Sequence, residues 1–228
     1  MLPRYHIDMI YDTIFCEYDL VSKNIDNRYC SKFKAWLLWF RKIHLIMVET
    51  MANVVLIIDM VRGFLENGNL YCGDDSRTII PNVTKLLDSE VKNNSDLIFI
   101  CDSHELGDLE FQMFPVHCLS GSSETELIPE LANYSGLRID KKRYSAFYET
   151  ELAKHLERLN PNKVIVCGVC TDICVMHTVS DARNRDYNVV VPTDAVASFD
   201  LDAHNWAIGH MEKILGAHIS YVSDMVSR

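Results

Sequence analysis

The stretch that decides the fold is residues 164–178, VIVCGVCTDICVMHT. Its apolar start is interrupted at Gly168, and apolar residues at helical spacing follow Cys174. A short β-rich run, a glycine and a helical pattern together predict a strand, a turn and a helix. We expect Thr171 or Asp172 to cap that helix, because a short side-chain oxygen can accept a hydrogen bond from its first amides.

Cys174 falls in the first turn of the predicted helix. The positive end of a helix dipole favours a thiolate, so this is a position where a cysteine nucleophile is expected. A buried structural cysteine is an equally weighted alternative, since cysteine is among the most buried residue types. The stretch by itself leaves both interpretations open.

The rest of the chain alternates between short apolar runs and helical patterns. This alternation predicts βα units and a parallel sheet covered on both faces. We therefore predict a Rossmann-like α/β fold: a three-layer sandwich around a central, mostly parallel, six-stranded sheet. The predicted strands are residues 53–59, 97–101, 137–140, 164–167, 188–192 and 217–222, and the predicted helices include residues 81–94, 150–159 and 200–215.

Length and charge narrow the functional class. At 228 residues the chain is long enough for one α/β domain with a sizeable core. A net charge of −10 argues against nucleic-acid binding, which requires basic surface. No apolar stretch reaches the ~20 residues of a membrane span, no secretory signal is recognisable, and the eight cysteines do not form the pattern of a small secreted scaffold. We expect a cytoplasmic protein.

Residues 1–50 differ from the rest, with seven Lys/Arg against six Asp/Glu. The pattern of residues 31–47 predicts a helix in which basic residues flank the apolar residues, among them Trp36, Trp39 and Phe40. Three interpretations stay open: a helix that binds a membrane surface or partner, an extension that packs on the domain or stays disordered, and a segment outside the working protein. We predict an extension of uncertain role over residues 1–50 and a domain over residues 51–228.

Acids and histidines follow the second predicted strand. Asp102 and His104 are two residues apart, so in extended backbone their side chains face the same way. His117 stands further along an irregular loop, behind Pro115. Two histidines with one or two acids suit zinc, manganese or iron, although loop histidines and aspartates are more often simply solvated.

Two further polar residues follow predicted strands. Asp59 ends the first strand, at the edge where open α/β sheets keep their sites; the alternative is a helix cap or a surface carboxylate. Lys141 leaves the third strand within a basic cluster, which is usually solvated but could direct one lysine into a site.

Three motifs, in their order along the chain, resemble those of a known protein family. They are Asp59 after the first strand, Lys141 in K-x-x-Y-S-A-F, and Cys174 in G-V-C-T-D-I-C-V. Together they resemble the isochorismatase-like cysteine hydrolase family, from about residue 53 to residue 222. The added D-S-H and F-P-V-H motifs, residues 102–104 and 114–117, resemble its nicotinamidase branch.

The resemblance implies a mechanism. Cys174 would attack a carboxamide carbon, Asp59 would act as general base and then acid, and Lys141 would hold both and favour their charged forms. The backbone amides of Cys170 and Cys174 would form the oxyanion hole. The family's cis peptide bond would be Val169–Cys170.

The resemblance also implies a metal site and a substrate. Asp102, His104, His117 and, less surely, Glu110 would bind one divalent metal, most readily zinc, with manganese or iron as alternatives. The aromatic residues Phe64, Phe114 and Tyr144 would enclose the ring of nicotinamide, whose hydrolysis gives nicotinate and ammonia. Another amide or vinyl-ether hydrolase of the family, or a catalytically silent binding module, is the alternative. We expect a homo-oligomer, and we interpret four further cysteines as bystanders, namely Cys72, Cys101, Cys118 and Cys167.

Overall fold

The computed structural model describes Trp39 and residues 52–226. Apart from Trp39, the predicted helix over residues 31–47 lies outside the described residues, and the interpretations of residues 1–50 stay predictions. Within the described part of the chain, no helix is both long and apolar enough to span a membrane.

A parallel sheet forms the centre of the domain. Its strand order is β3-β2-β1-β4-β5-β7, β6 pairs with β4, and every pairing is parallel. The predicted α/β fold with a mostly parallel sheet is confirmed. The strands are β1 (Val54–Ile58), β2 (Asp96–Asp102), β3 (Leu137–Lys141), β4 (Val164–Val169), β5 (Val189–Pro192), β6 (Val196–Ala197) and β7 (His218–Ser220).

The sheet has seven strands rather than the six predicted. The additional strand, β6, is only two residues long. Such a strand is too short to show the alternation by which strands are recognised in a sequence.

Helices cover both faces of the sheet. Along β1, Val55 and Ile57 pack on one face in a cluster with α3 and α7, whereas Leu56 and Ile58 pack on the other with α4, α5 and α6. Because successive strand residues point to opposite faces, this fully apolar strand predicts a three-layer sandwich. The helices are α1 (Arg62–Leu65), α2 (Asp74–Arg77), α3 (Ile80–Lys92), α4 (Leu152–Leu159), α5 (Met176–Arg183), α6 (Leu201–Lys213) and α7 (Val222–Val226).

The carboxyl ends of the strands meet at one edge of the sheet. Asp59 directly follows β1, while Asp102 and Lys141 are the last residues of β2 and β3 and pair with each other in register. Gly168 allows β4 to lie against β1, because a Cβ there would fall 2.0 Å from the Ile58 carbonyl oxygen and because its φ is +112°.

The helix after β4 begins differently from the prediction. A π-helical turn, Thr171–Val175, precedes α5, and its N-cap residue makes no side-chain capping bond. Thr171 instead lies with its hydroxyl 2.8 Å from Nδ1 of His204, and Asp172 accepts a hydrogen bond from Ser198. The predicted cap by Thr171 or Asp172 is therefore wrong, because both side chains have tertiary partners.

Candidate active site

Lys141 lies at the centre of a buried cluster formed by three strand ends and the π-helical turn. Its Nζ is 2.9 Å from Oδ2 of Asp59 and 2.8 Å from Oδ1 of Asp102. The same Nζ lies 3.4 Å from Sγ of Cys174. The structure thus brings together Asp59, Lys141 and Cys174, whose catalytic roles are proposals taken up below.

Asp59 is held by its backbone as well as by its partners. It adopts a left-handed conformation with φ +52°, and its Oδ1 accepts a hydrogen bond of 2.9 Å from the Asp102 amide. A non-glycine residue in this region is uncommon and is often found where a side chain must be aimed. Burial raises the pKa of Asp59 to about 6, although Lys141 opposes the shift. This carboxyl can exchange a proton near neutral pH.

Burial favours the protonated form of the Cys174 thiol. Burial raises the pKa of its thiol well above the ordinary value, and the nearby Lys141 ammonium opposes this only in part. The expectation that the helix dipole would favour a thiolate is wrong for the free site, because desolvation of the charge dominates. A reaction at Cys174 would need an acceptor for the thiol proton, and Asp59 is a buried carboxyl in contact with this thiol.

Replacing Lys141 with methionine tests how the cluster is held together. Both carboxylates beside Lys141 are buried, so Lys141→Met leaves two buried acids without their cation. We expect the free energy of unfolding to fall by ~3–5 kcal/mol, the usual effect of breaking a buried ion pair. Denaturant titration of the variant and the wild type measures this difference.

Lys154→Met is the matched control, since the Lys154–Glu151 pair is exposed. This control should have the same free energy of unfolding as the wild type, because surface ion pairs contribute little to stability. A Lys141→Met variant as stable as the wild type would contradict the structural role assigned to Lys141.

A candidate metal centre adjoins the cluster. Ligand atoms of the four predicted residues, Asp102, His104, Glu110 and His117, lie within 4.8 Å of one another, and all four residues are buried. The Nε2 atoms of both imidazoles converge on Oδ2 of Asp102, at 2.9 Å for His104 and 3.2 Å for His117. Two imidazoles and two carboxylates are a donor set that suits zinc, manganese or iron, so the residues fit a divalent metal.

Asp102 belongs both to the candidate metal centre and to the cluster around Lys141. One of its carboxylate oxygens pairs with Lys141, and the other faces His104 and His117. Burial alone would raise the pKa of Asp102, but the Lys141 ammonium and the hydrogen bonds from the histidines outweigh it and hold that pKa well below its ordinary value. Asp102 is therefore an ionised bridge between the metal ligands and the cluster around Cys174.

A cavity of about 390 Å³ opens onto both groups. The three predicted aromatic residues, Phe64, Phe114 and Tyr144, all line it. Sequence reasoning missed other wall residues, because three of them lie in loops outside the quoted motifs and two, within the G-V-C-T-D-I-C-V motif, carry only apolar side chains. They are Leu70, Cys72, Val169, Ile173 and Phe199.

The interpretation of Cys72 as a bystander needs correction. Cys72 lines the cavity, and its Sγ lies 3.4 Å from that of Cys170. The remaining described cysteines outside the site, namely Cys101, Cys118 and Cys167, are free and buried in the core.

The backbone between β4 and the π-helical turn contains the expected cis peptide bond, Val169–Cys170. Cys170 ends this bond and directly precedes the turn that carries Cys174. The use of the Cys170 and Cys174 amides as an oxyanion hole stays a proposal.

The fold is that of isochorismatase-like hydrolases. The family model of the isochorismatase domain matches residues 53–223, and the chain belongs to the isochorismatase family.

Solved structures with this fold include several amide hydrolases. A nicotinamidase/pyrazinamidase from Bacillus subtilis is 33% identical, with 75% of this chain and 100% of that chain covered and a TM-score of 0.70. An N-carbamoylsarcosine amidase from Thermoplasma acidophilum is 27% identical, with 75% and 97% covered and a TM-score of 0.68. A pyrazinamidase of Pyrococcus horikoshii in complex with zinc is 26% identical, with 74% and 98% covered and a TM-score of 0.69.

Proposed function

We propose that the protein is a nicotinamidase, which hydrolyses nicotinamide to nicotinate and ammonia. The observation that carries the proposal is the shared position of Asp102, which joins the ligand cluster to the Asp59, Lys141 and Cys174 group at one cavity. A metal is unnecessary for thiol attack on an amide. Its ligands beside the thiol therefore suggest a substrate with its own metal-binding atom, as the pyridine nitrogen of nicotinamide is.

The charges around the cavity favour a neutral substrate. Of the described residues that line it, three are acids, namely Asp59, Asp102 and Glu110, and none is a lysine or arginine. Lys141 lies behind them, paired with two carboxylates. An anionic substrate would meet no lysine or arginine side chain in this wall, whereas an aromatic amide fits walls built from Phe64 and Phe114.

In the acylation step, Asp59 takes the proton from Cys174 as Sγ bonds to the carboxamide carbon. The amides of Cys170 and Cys174 stabilise the oxyanion that forms. Asp59 then gives its proton to the departing nitrogen, so that ammonia leaves and a thioester remains on Sγ. Lys141 stays protonated throughout and holds Asp59 and Sγ within reach of each other.

In the deacylation step, water attacks the thioester carbon. Asp59 accepts a proton from this water, the carbon–sulfur bond breaks, and the proton returns to Sγ. The nicotinic acid formed loses its remaining proton to solvent and leaves as nicotinate, which restores the free site. The alternation of Asp59 between base and acid requires a carboxyl that titrates near neutral pH, in agreement with its raised pKa of about 6.

Asp102, His104 and His117 would hold the metal, with Glu110 as a fourth ligand, and zinc is the proposed metal with manganese or iron as alternatives. When bound, the metal offers a coordination position to the pyridine nitrogen, which orients the carboxamide toward Cys174. Phe64 and Phe114 contribute by enclosing the ring, since their own rings lie 5.7 and 6.4 Å from that of His117.

Replacing Asp59 with asparagine should lower turnover by ~10²–10⁴-fold, because asparagine keeps the shape but cannot accept the thiol proton. In the wild type, kcat/KM should rise with pH through about 6, where Asp59 loses its proton and becomes a base. The variant should lack this rise. Initial rates of ammonia release between pH 4.5 and pH 8 measure both effects, and an unchanged pH profile in Asp59→Asn would contradict the assignment.

A substrate comparison tests the proposal against its alternatives. We expect a far higher kcat/KM for nicotinamide than for benzamide, which has the same shape but lacks the ring nitrogen, or for anionic N-carbamoylsarcosine. Equal rates with benzamide would remove the reason for a metal-anchored pyridine. Preference for the anionic compound would indicate another amide hydrolase of the family, and no turnover of any amide would indicate a vinyl-ether hydrolase or a silent binding module. The cytoplasmic location and the homo-oligomer stay predictions.

A further inference from the structure

Asp108 is a charged residue beside the candidate metal centre to which neither the sequence motifs nor the reaction assigns a role. It lies between His104 and Glu110 in the chain and contacts both. Its Oδ2 is 3.1 Å from Nδ1 of His104, and its Oδ1 accepts a 2.9 Å hydrogen bond from the Glu110 amide. The Asp108 side chain is only 6% exposed.

The contact with His104 bears on which ring nitrogen can bind a metal. A carboxylate next to Nδ1 favours a proton on that atom, so that Nε2, which donates to Asp102 without a metal, can give up its proton and offer its lone pair to one. In His104 it is Nε2 that faces Asp102 and the other ligands. His117 is held in the same way, since its Nδ1 can donate to the Pro115 carbonyl 2.7 Å away. Both rings thus present Nε2 to the centre, but only His104 relies on a side chain.

Asp108 is itself held in place. Nη1 of Arg143 lies 3.0 Å from each of its carboxylate oxygens. Arg143 leaves the end of β3 two residues after Lys141, so Asp108 links the ligand loop to the strand that carries the cluster's lysine. A carboxylate with partners on both oxygens has little freedom to turn away from His104.

We propose that Asp108 is a positioning residue that builds the metal centre by setting the ring of His104 and the backbone at Glu110. The inference rests on the metal-binding part of the proposed function. It does not depend on which substrate the enzyme hydrolyses.

The test is zinc affinity, measured on apoprotein by competition with a chromogenic chelator. We expect Asp108→Ala to bind zinc ~10–100-fold more weakly than the wild type, the usual effect of removing a hydrogen-bond partner of a ligand. Asp108→Asn keeps an oxygen that can accept one of the two bonds, so its loss should be smaller. Asp140→Asn is the matched control, because the Asp140 side chain is 54% exposed and forms an ion pair with Arg138, which is not a residue of the metal centre. Its zinc affinity should equal that of the wild type.

Thermal melts distinguish positioning from a merely structural role. Without metal, Asp108→Ala should melt close to the wild type, and the increase in melting temperature on adding zinc should be smaller in the variant. Wild-type zinc affinity in Asp108→Ala, or a loss of affinity explained wholly by unfolding of its apoprotein, would overturn the proposal. A wild type whose zinc affinity depends on Asp108 but which leaves nicotinamide intact would overturn the proposed function alone.

Discussion

Replacing Cys174 with alanine is expected to abolish the hydrolysis of nicotinamide. Cys174 lies 3.4 Å from Lys141 in the cluster that contains Asp59 and borders the cavity. No thioester can form without its sulfur, so turnover should fall by a factor on the order of 10⁶, as when a protease loses its nucleophile. The fold should persist, because a single thiol is removed from the wall of a cavity. Steady-state ammonia release and a thermal melt measure the two properties.

Cys170→Ala is the matched control for this prediction. Cys170 is a second cysteine in the same cavity wall, and its proposed role uses only the backbone amide, which alanine keeps. This variant should retain most of the activity. If Cys170→Ala were inactive and Cys174→Ala active, the nucleophile would have been assigned to the wrong cysteine of the C-T-D-I-C stretch.

Removing His104 and His117 together should have the second-largest effect. Both are buried, and their Nε2 atoms converge on Asp102. The double alanine variant should lose the metal and bind nicotinamide more weakly, which raises KM. The carboxamide should also be misplaced, and a shift of ~1 Å can lower the chemical step by ~10²-fold. Elemental analysis and Michaelis kinetics of the variant measure these changes.

The reactivity of Cys174 separates a lost anchor from a damaged site. The double substitution leaves Asp59 and Lys141 in the chain. Cys174 should therefore react with a small alkylating agent at the same rate as in the wild type. His155→Ala, on α4 away from the cavity, should retain both metal and activity. Full hydrolysis of nicotinamide by the metal-free double variant would remove the basis for the metal-anchored substrate.

The convergence of the reacting residues could be predicted because of how parallel sheets are built. Short, wholly apolar runs such as residues 164–167 show where buried strands lie, and all parallel strands end at one edge. Asp59 and Asp102 each stand where such a run stops, and Lys141 ends the mixed strand of residues 137–141, so their meeting follows from the fold.

Other features depend on tertiary packing that a linear pattern does not carry. Asp108 reaches His104 only because its loop folds back, and Phe199 reaches the cavity from the segment after β6. The helix after β4 lacks the predicted side-chain cap because His204 engages Thr171. The raised pKa of Cys174 could not be predicted from the sequence. It comes from burial of the thiol, which the neighbouring residues in the chain do not reveal.

The central claim is that this site hydrolyses nicotinamide, and product balance tests it most directly. Purified protein, loaded with zinc, should convert nicotinamide to nicotinate and ammonia in equal amounts over many turnovers, and the Cys174→Ala variant should produce neither. The account would be contradicted if zinc-loaded wild-type protein, with Cys174 still open to alkylation, left nicotinamide unchanged.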